Sequence, residues 1–178
     1  MEKLIRHHKP QNLSDHIALA FTKFLRFLAD TFFKKKYGHR AVVLETVAAV
    51  PGMVAGMLLH LKSLRKMQDD RGWIKILLDE AENERMHLMT FIQIAKPTFI
   101  ERIIIMMAQF IFILMYSIIY LSSQRTAHRI VGYFEEEAVI SYTEYLKEIE
   151  EGKIENIKAP EIAINYWNLP LNSKLKDV

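Results

Sequence analysis

The chain has 178 residues, 51% of them hydrophobic, with 6 glycines, 5 prolines and no cysteine. Without cysteine there are no disulfides and no thiolate-held metals, so any metal falls to His, Asp, Glu or Tyr, a ligand set better suited to iron or manganese than to structural zinc. The net charge of +3 is uneven: residues 1–40 carry nine Lys or Arg against three acids, about +6, which leaves about −3 for the rest. Length suits one domain, and sparse Gly and Pro among long apolar runs favour an all-α fold over a strand-rich one.

Residues 1–15 read as an irregular lead, Met1-Glu2-Lys3 running into His7-His8-Lys9-Pro10, with no apolar stretch of the secretory kind and no clear mitochondrial presequence. Ser14 or Asp15 caps a first helix over about 16–35. Phe21, Phe24, Phe27, Phe32 and Phe33 alternate in it with Lys23, Arg26 and Lys34-Lys35-Lys36. Such a basic, aromatic-rich helix suits either anionic lipid or nucleic acid. The interleaved apolar residues and the lack of a nucleic-acid motif favour the lipid interface, with simple packing on the domain as the alternative.

A second helix spans about 41–67, and Pro51-Gly52 inside it predicts a kink or a break. Ala48, Ala49, Gly52, Ala55 and Gly56 keep one side small enough for another helix to approach closely. Asp69-Asp70-Arg71-Gly72 is a turn. A charge-rich third helix covers 73–95 and stops before Pro97.

The fourth helix, 97–122, holds a run from Ile103 to Leu121 whose strongly polar members are Gln109 and Ser117. That is long enough to span a bilayer. No second comparable run is evident, and a lone span would separate the third and fifth helices, so a helix sunk in one leaflet is preferred. A fifth helix spans 126–151 and stops at Gly152. Residues 152–178, with Pro160 and Pro170, form a connection that ends at the threshold of a further helix.

Three acids and one imidazole carry the chemistry. Glu84-x-x-His87 places a carboxylate and an imidazole on one helical face, the unit found in ferritin-like di-iron bundles. In a charge-rich helix the same pair is more often just solvated. Glu45 is an acid in the apolar stretch Val42–Ala48, and a buried carboxylate demands a partner. Glu135 opens Glu135-Glu136-Glu137, which alone reads as a solvated run. His128, Glu135 and Tyr142, however, recur at heptad spacing and share a face, which predicts a polar site inside a bundle. A di-iron bundle needs a second Glu-x-x-His, and no His follows His128.

The stretches Leu44-Glu45-Thr46-Val47-Ala48, Asn83-Glu84-Arg85-Met86-His87-Leu88 and Glu135-Glu136-Glu137-Ala138 resemble, in order and spacing, three signature motifs of the alternative oxidase family, in its mitochondrial form. Tyr37-Gly38-His39-Arg40, Ala127-His128-Arg129 and Tyr166-Trp167 extend the likeness over 36–178. The resemblance implies a ferritin-like di-iron four-helix bundle with membrane-interface helices. Residues 1–178 would form a single domain of this kind, with 1–35 as the interface lead. A fourth motif, Arg-Ala-Asp-Glu-Ala-His-His, is expected beyond Val178, so the bundle in 36–178 lacks its final helix.

By resemblance Glu45, Glu84, His87 and Glu135 would ligate two irons, oriented by Asn83, His128 and Trp167 through hydrogen bonds. Tyr142 would be the redox-active tyrosine. Arg40, Phe134, Glu135, Ala138, Ser141 and Tyr142 would line the quinol pocket. The implied activity is ubiquinol oxidation coupled to reduction of O2 to water, without proton pumping and resistant to cyanide. The setting would be the matrix side of the mitochondrial inner membrane, as a monotopic homodimer that binds no nucleic acid. The small side of the second helix, with His60 and Arg65, is the candidate contact between copies. The competing readings are a metal-free membrane-bound helical protein, another quinone-linked di-iron hydroxylase, and a single-span membrane protein.

Overall fold

Among the described residues six α-helices follow one another: α1 (Leu13–Phe33), α2 (Tyr37–Lys66), α3 (Trp73–Ala95), α4 (Phe99–Ser122), α5 (Gln124–Glu150) and the short α6 (Glu161–Tyr166). The computed structural model describes the backbone of residues 7–33 and 37–178. Residues 1–6, the Lys34-Lys35-Lys36 triplet and the side chains of Phe32, Phe33 and Tyr37 lie outside the described residues. Among those described there is no strand, only an isolated bridge between Lys158 and Lys174.

The first helix starts earlier than expected because Asn12, not Ser14 or Asp15, caps it. The Asp15 amide donates to Asn12 Oδ1 at 3.1 Å, and Asp15 Oδ2 in turn accepts from the Gln11 amide at 2.9 Å. Ser14 and Asp15 instead tie α1 to α5. Ser14 shares a hydrogen bond with Thr126 at 2.9 Å, and Arg129 Nε donates to the buried Asp15 at 3.2 Å.

Pro51 does not break α2, which runs unbroken from Tyr37 to Lys66. Proline removes one backbone bond, but packing holds the helix on both sides of it. A Cβ at Gly52 would lie 2.5 Å from the Leu77 carbonyl oxygen and 3.0 Å from Ala81 Cβ, and one at Gly56 would lie 3.2 Å from Leu78 Cδ2. The small side of α2 is therefore occupied by α3 of the same chain, which corrects its expected role as a contact between copies. His60 and Arg65 are exposed.

The turn before α3 forms as expected. Arg71 and Gly72 take positive φ, and Asp70 Oδ2 accepts from the Ile74 amide at 2.7 Å. Thr98 opens α4 through a capping box with Glu101. Ser123 alone separates α4 from α5, and Gly152, at φ 71°, follows the end of α5.

Phe112, Tyr116 and Tyr120 recur every four residues on α4 and bury one stripe against Val50, Val54 and Ala55 of α2 and Ala127 of α5. Its other side exposes Met106, Phe110, Leu114 and Ile118. Among the described residues two helices, not one, are long and apolar enough to cross a membrane: Gly38–Lys66 and Phe99–Ser122. Half of the apolar window in the first is buried in protein, against 17% in the second.

Candidate metal centre and adjoining cavity

Close packing of α2 on α3 sets Glu45 opposite Glu84 and His87. One ligand atom from each of the three falls within 4.8 Å of the others. Glu45 is 3% exposed, its Oε1 accepts from the Tyr142 hydroxyl on α5, and its Oε2 is buried without a hydrogen-bond partner among the described residues. His87 Nδ1 lies 3.7 Å from that oxygen.

The electrostatics follow from burying acids without a cation. Burial, and then the neighbouring Glu84, push the Glu45 carboxyl well above its ordinary range against the opposing Tyr142 bond. Burial pushes His87 down against the pull of Glu84. Burial and the Glu45 charge push Tyr142 up. A buried carboxylate oxygen with no donor, an imidazole beside it and a second carboxylate within reach form a set that either a proton or a metal cation would satisfy. The donor chemistry, oxygen and nitrogen without sulfur, fits iron.

On the polar face of α5, Tyr142 is half-buried while His128 and Glu135 are exposed, yet both reach the acids: Glu135 acts on Glu45, and His128 on Glu80. The opposite side of α5 packs on α1, where Ile130 and Tyr133 are buried with Ala18. Glu135 still contributes to the electrostatics. It lines the cavity described below, and partial burial with the charges of Glu84 and Glu80 pushes its carboxyl up to about 7.

His128 lies edge-on to Tyr120, with ring centroids 5.7 Å apart. Asn83 and Trp167 do meet: Trp167 Nε1 donates to Asn83 Oδ1 at 3.3 Å, and the Trp167 ring lies 4.8 Å from that of His87. Glu80, not singled out in the sequence, is raised by burial and by Glu84. Its position one turn before Glu84 is the signal that could have found it.

Beside the acids lies a cavity of about 80 Å³. Arg40, Phe134, Glu135, Ala138 and Ser141 line it, whereas Tyr142 lines an adjoining recess with Arg40 and Ser141. Arg40, 6% exposed, donates through Nη2 to Ser141 Oγ at 2.6 Å and pairs through Nη1 with Asp30 at 2.8 Å.

The sequence reading missed the wall supplied by α1: Thr22, Leu25, Arg26 and Ala29. Arg26 pairs with Glu137, and Glu137 in turn lies 2.7 Å from His7 Nε2. The Arg26–Asp30 spacing of four residues was the available signal, outweighed by the reading of α1 as lipid-facing. A second cavity of about 180 Å³ opens on the other side of His87 and Tyr142, against Phe91, Tyr145, Trp167 and Leu175.

The family model described as alternative oxidase matches residues 1–178. The chain is similar to alternative oxidase 3, mitochondrial, of Glycine max, with 59% identity over 97% of this chain and 53% of that protein. It is also similar to ubiquinol oxidase 2, mitochondrial, of Arabidopsis thaliana, 58% identical over 98% of this chain and 50% of that protein. Ubiquinol oxidase 1a, mitochondrial, of Oryza sativa subsp. japonica is 58% identical over 98% and 53%. The chain thus spans about half the length of the curated relatives it matches.

Proposed function

The chain belongs to the alternative oxidase family, and from that premise we propose that it supplies most of the site of a membrane-surface quinol oxidase. Two ubiquinols would each give two electrons and two protons, and one O2 would become two waters, without proton pumping and without inhibition by cyanide. The observation that carries this reading is the convergence of Glu45, Glu84 and His87 around a buried oxygen that lacks a donor, with Tyr142 bonded to the same carboxylate.

Glu45, Glu84, His87 and Glu135 would hold two irons, together with a second Glu-x-x-His that these 178 residues do not contain. When bound, the irons supply the electron storage and Lewis acidity that reduction of O2 needs. The residues do the rest. Asn83, fixed by Trp167, steadies the turn of α3 that carries Glu84, and His128 would join this hydrogen-bonded support. The Tyr142 hydroxyl keeps its proton on Glu45 and is placed to yield a proton and an electron there. Arg40, held by Ser141 and Asp30, presents a fixed cation to a quinol oxygen in the cavity, while Phe134 and Ala138 give it apolar walls that exclude water.

Residues 1–178 would act as one domain at the matrix face of the mitochondrial inner membrane, paired as a homodimer. The exposed Phe24 and Phe27 of α1 and the apolar side of α4 support interfacial insertion. A spanning α4 would draw into the bilayer the site-bearing helices packed along it, which favours the monotopic arrangement.

The test begins with anaerobic Fe(II) equilibrium dialysis of the chain. E84Q and H87A should each weaken binding at least tenfold; unchanged binding in both would overturn the ligand assignment. Quinol-dependent oxygen uptake insensitive to cyanide is expected only when the second Glu-x-x-His is joined to the chain. Full turnover by the 178 residues alone would refute the ligand count.

A further inference from the structure

Seven threonines occur in the chain. Thr31, Thr46, Thr90 and Thr143 lie inside helices, and each donates to the carbonyl four residues earlier, at 2.6–2.9 Å. Thr98 and Thr126 bond at helix starts. Thr22 is the exception. It is 2% exposed in the middle of α1, yet its Oγ1 has no partner among the described residues, and it lines the cavity beside Glu45.

A buried hydroxyl without a partner costs free energy that the usual back-bond to residue 18 would recover. Its orientation is therefore a feature in want of a cause. Around Thr22 the wall combines the apolar Leu25, Ala29, Leu44 and Val47 with charged groups, among them Arg26 and Arg40. The apolar stretches of such a wall cannot solvate an oxygen-bearing ligand, so an unpaired hydroxyl among them selects for one. Arg26 pairs with Glu137, and Arg40 with Asp30 and Ser141, which leaves the Thr22 hydroxyl of α1 as a neutral polar group in this wall without a partner among the described residues.

Resting on the reading of this cavity as the quinol pocket, we propose that Thr22 is a ligand-binding residue whose hydroxyl hydrogen-bonds an oxygen on the ring of the quinol. A ring with oxygens at several positions could thus be held from α1 as well as from α2 and α5. An apolar ring of the same size would leave the hydroxyl unpaired and be disfavoured.

The experiment is isothermal titration of the detergent-solubilised chain with a ubiquinone bearing one isoprenoid unit, paired with thermal melts without ligand. Thr22→Val keeps the shape and removes the hydroxyl, and Thr22→Ser keeps the hydroxyl. We expect T22V to weaken binding about threefold to tenfold, the range for one lost hydrogen bond, while its ligand-free melting temperature stays level or rises. T22S should bind within about twofold of the wild type.

Wild-type affinity in T22V, or a lowered melting temperature with unchanged affinity, would overturn the proposal, since the hydroxyl would then serve the fold. R40A supplies the separating arm. If the wild type binds and R40A does not, a silent T22V removes only the role of Thr22. If the wild type itself binds no ubiquinone, the quinol-pocket reading fails, and the proposal with it.

Discussion

Replacing Gly52 by Ala tests whether the approach of α2 to α3 builds the site. In an open helix interior this change is favourable by about 0.5–1 kcal/mol, because glycine loses more backbone freedom on folding. At position 52 the added methyl would meet the Leu77 carbonyl oxygen at 2.5 Å and Ala81 Cβ at 3.0 Å, and both belong to backbone-near atoms that cannot swing aside. Overpacking of this kind costs about 1–3 kcal/mol. The net is a loss of roughly 1–2 kcal/mol, or a melting temperature lower by about 2–8 °C for a chain of this size.

Gly132, in the middle of α5, is the control, because nothing lies within 4 Å of a Cβ built there. G132A should raise stability by about 0.5–1 kcal/mol. The assay is urea denaturation followed by circular dichroism, with Fe(II) dialysis alongside. Displacement of α2 from α3 pulls Glu45 from Glu84 and His87, so G52A should also lose iron affinity while G132A keeps it. If both variants gained stability equally, the close approach would not exist and the geometry drawn from it would fall.

Three further outcomes are expected. Glu45→Gln should stabilise the metal-free chain at neutral pH while weakening iron binding. The Glu45 carboxyl is raised on folding, so the folded chain holds a proton that the unfolded chain releases; wild-type stability without metal therefore falls as pH rises above about 4.5 toward the folded pKa, and the variant loses that slope in a urea series across pH. Asp15→Asn should act in the opposite sense. The Gln11 amide holds the Asp15 carboxyl below its ordinary 3.8, with Arg129 adding to the effect, so the wild type is the more stable above that pH and its advantage disappears as pH falls through the lowered value. Phe24→Glu with Phe27→Glu should cut sedimentation with anionic vesicles at least tenfold without lowering the melting temperature, since both rings are exposed; equal sedimentation would exclude α1 as the membrane face.

The helices were legible because they depend on local signals. The turn at Asp69–Gly72, the stop before Pro97 and the αL Gly152 set boundaries that the structure keeps within a few residues. The Glu84-x-x-His87 pair was legible for the same reason, since a spacing of three residues decides that two side chains share a face. Pro51 misled because its local preference was outweighed by packing on both sides of it. The α1 wall of the cavity was missed because Thr22 has nothing in its own neighbourhood to mark it as facing inward, and the Arg26–Asp30 spacing was outweighed by the basic, aromatic character of α1.

Taken by itself, the order of residues determined an all-α chain and the acids and imidazole able to grip a metal, because helical periodicity and ligand chemistry are properties of short segments. Only the tertiary structure decided that the glycines of α2 meet α3, that α5 packs on α1 through Ile130 and Tyr133 while Tyr142 meets Glu45, and that a threonine of α1 faces the cavity. Those outcomes depend on how whole helix faces fill space against one another, which no single segment encodes.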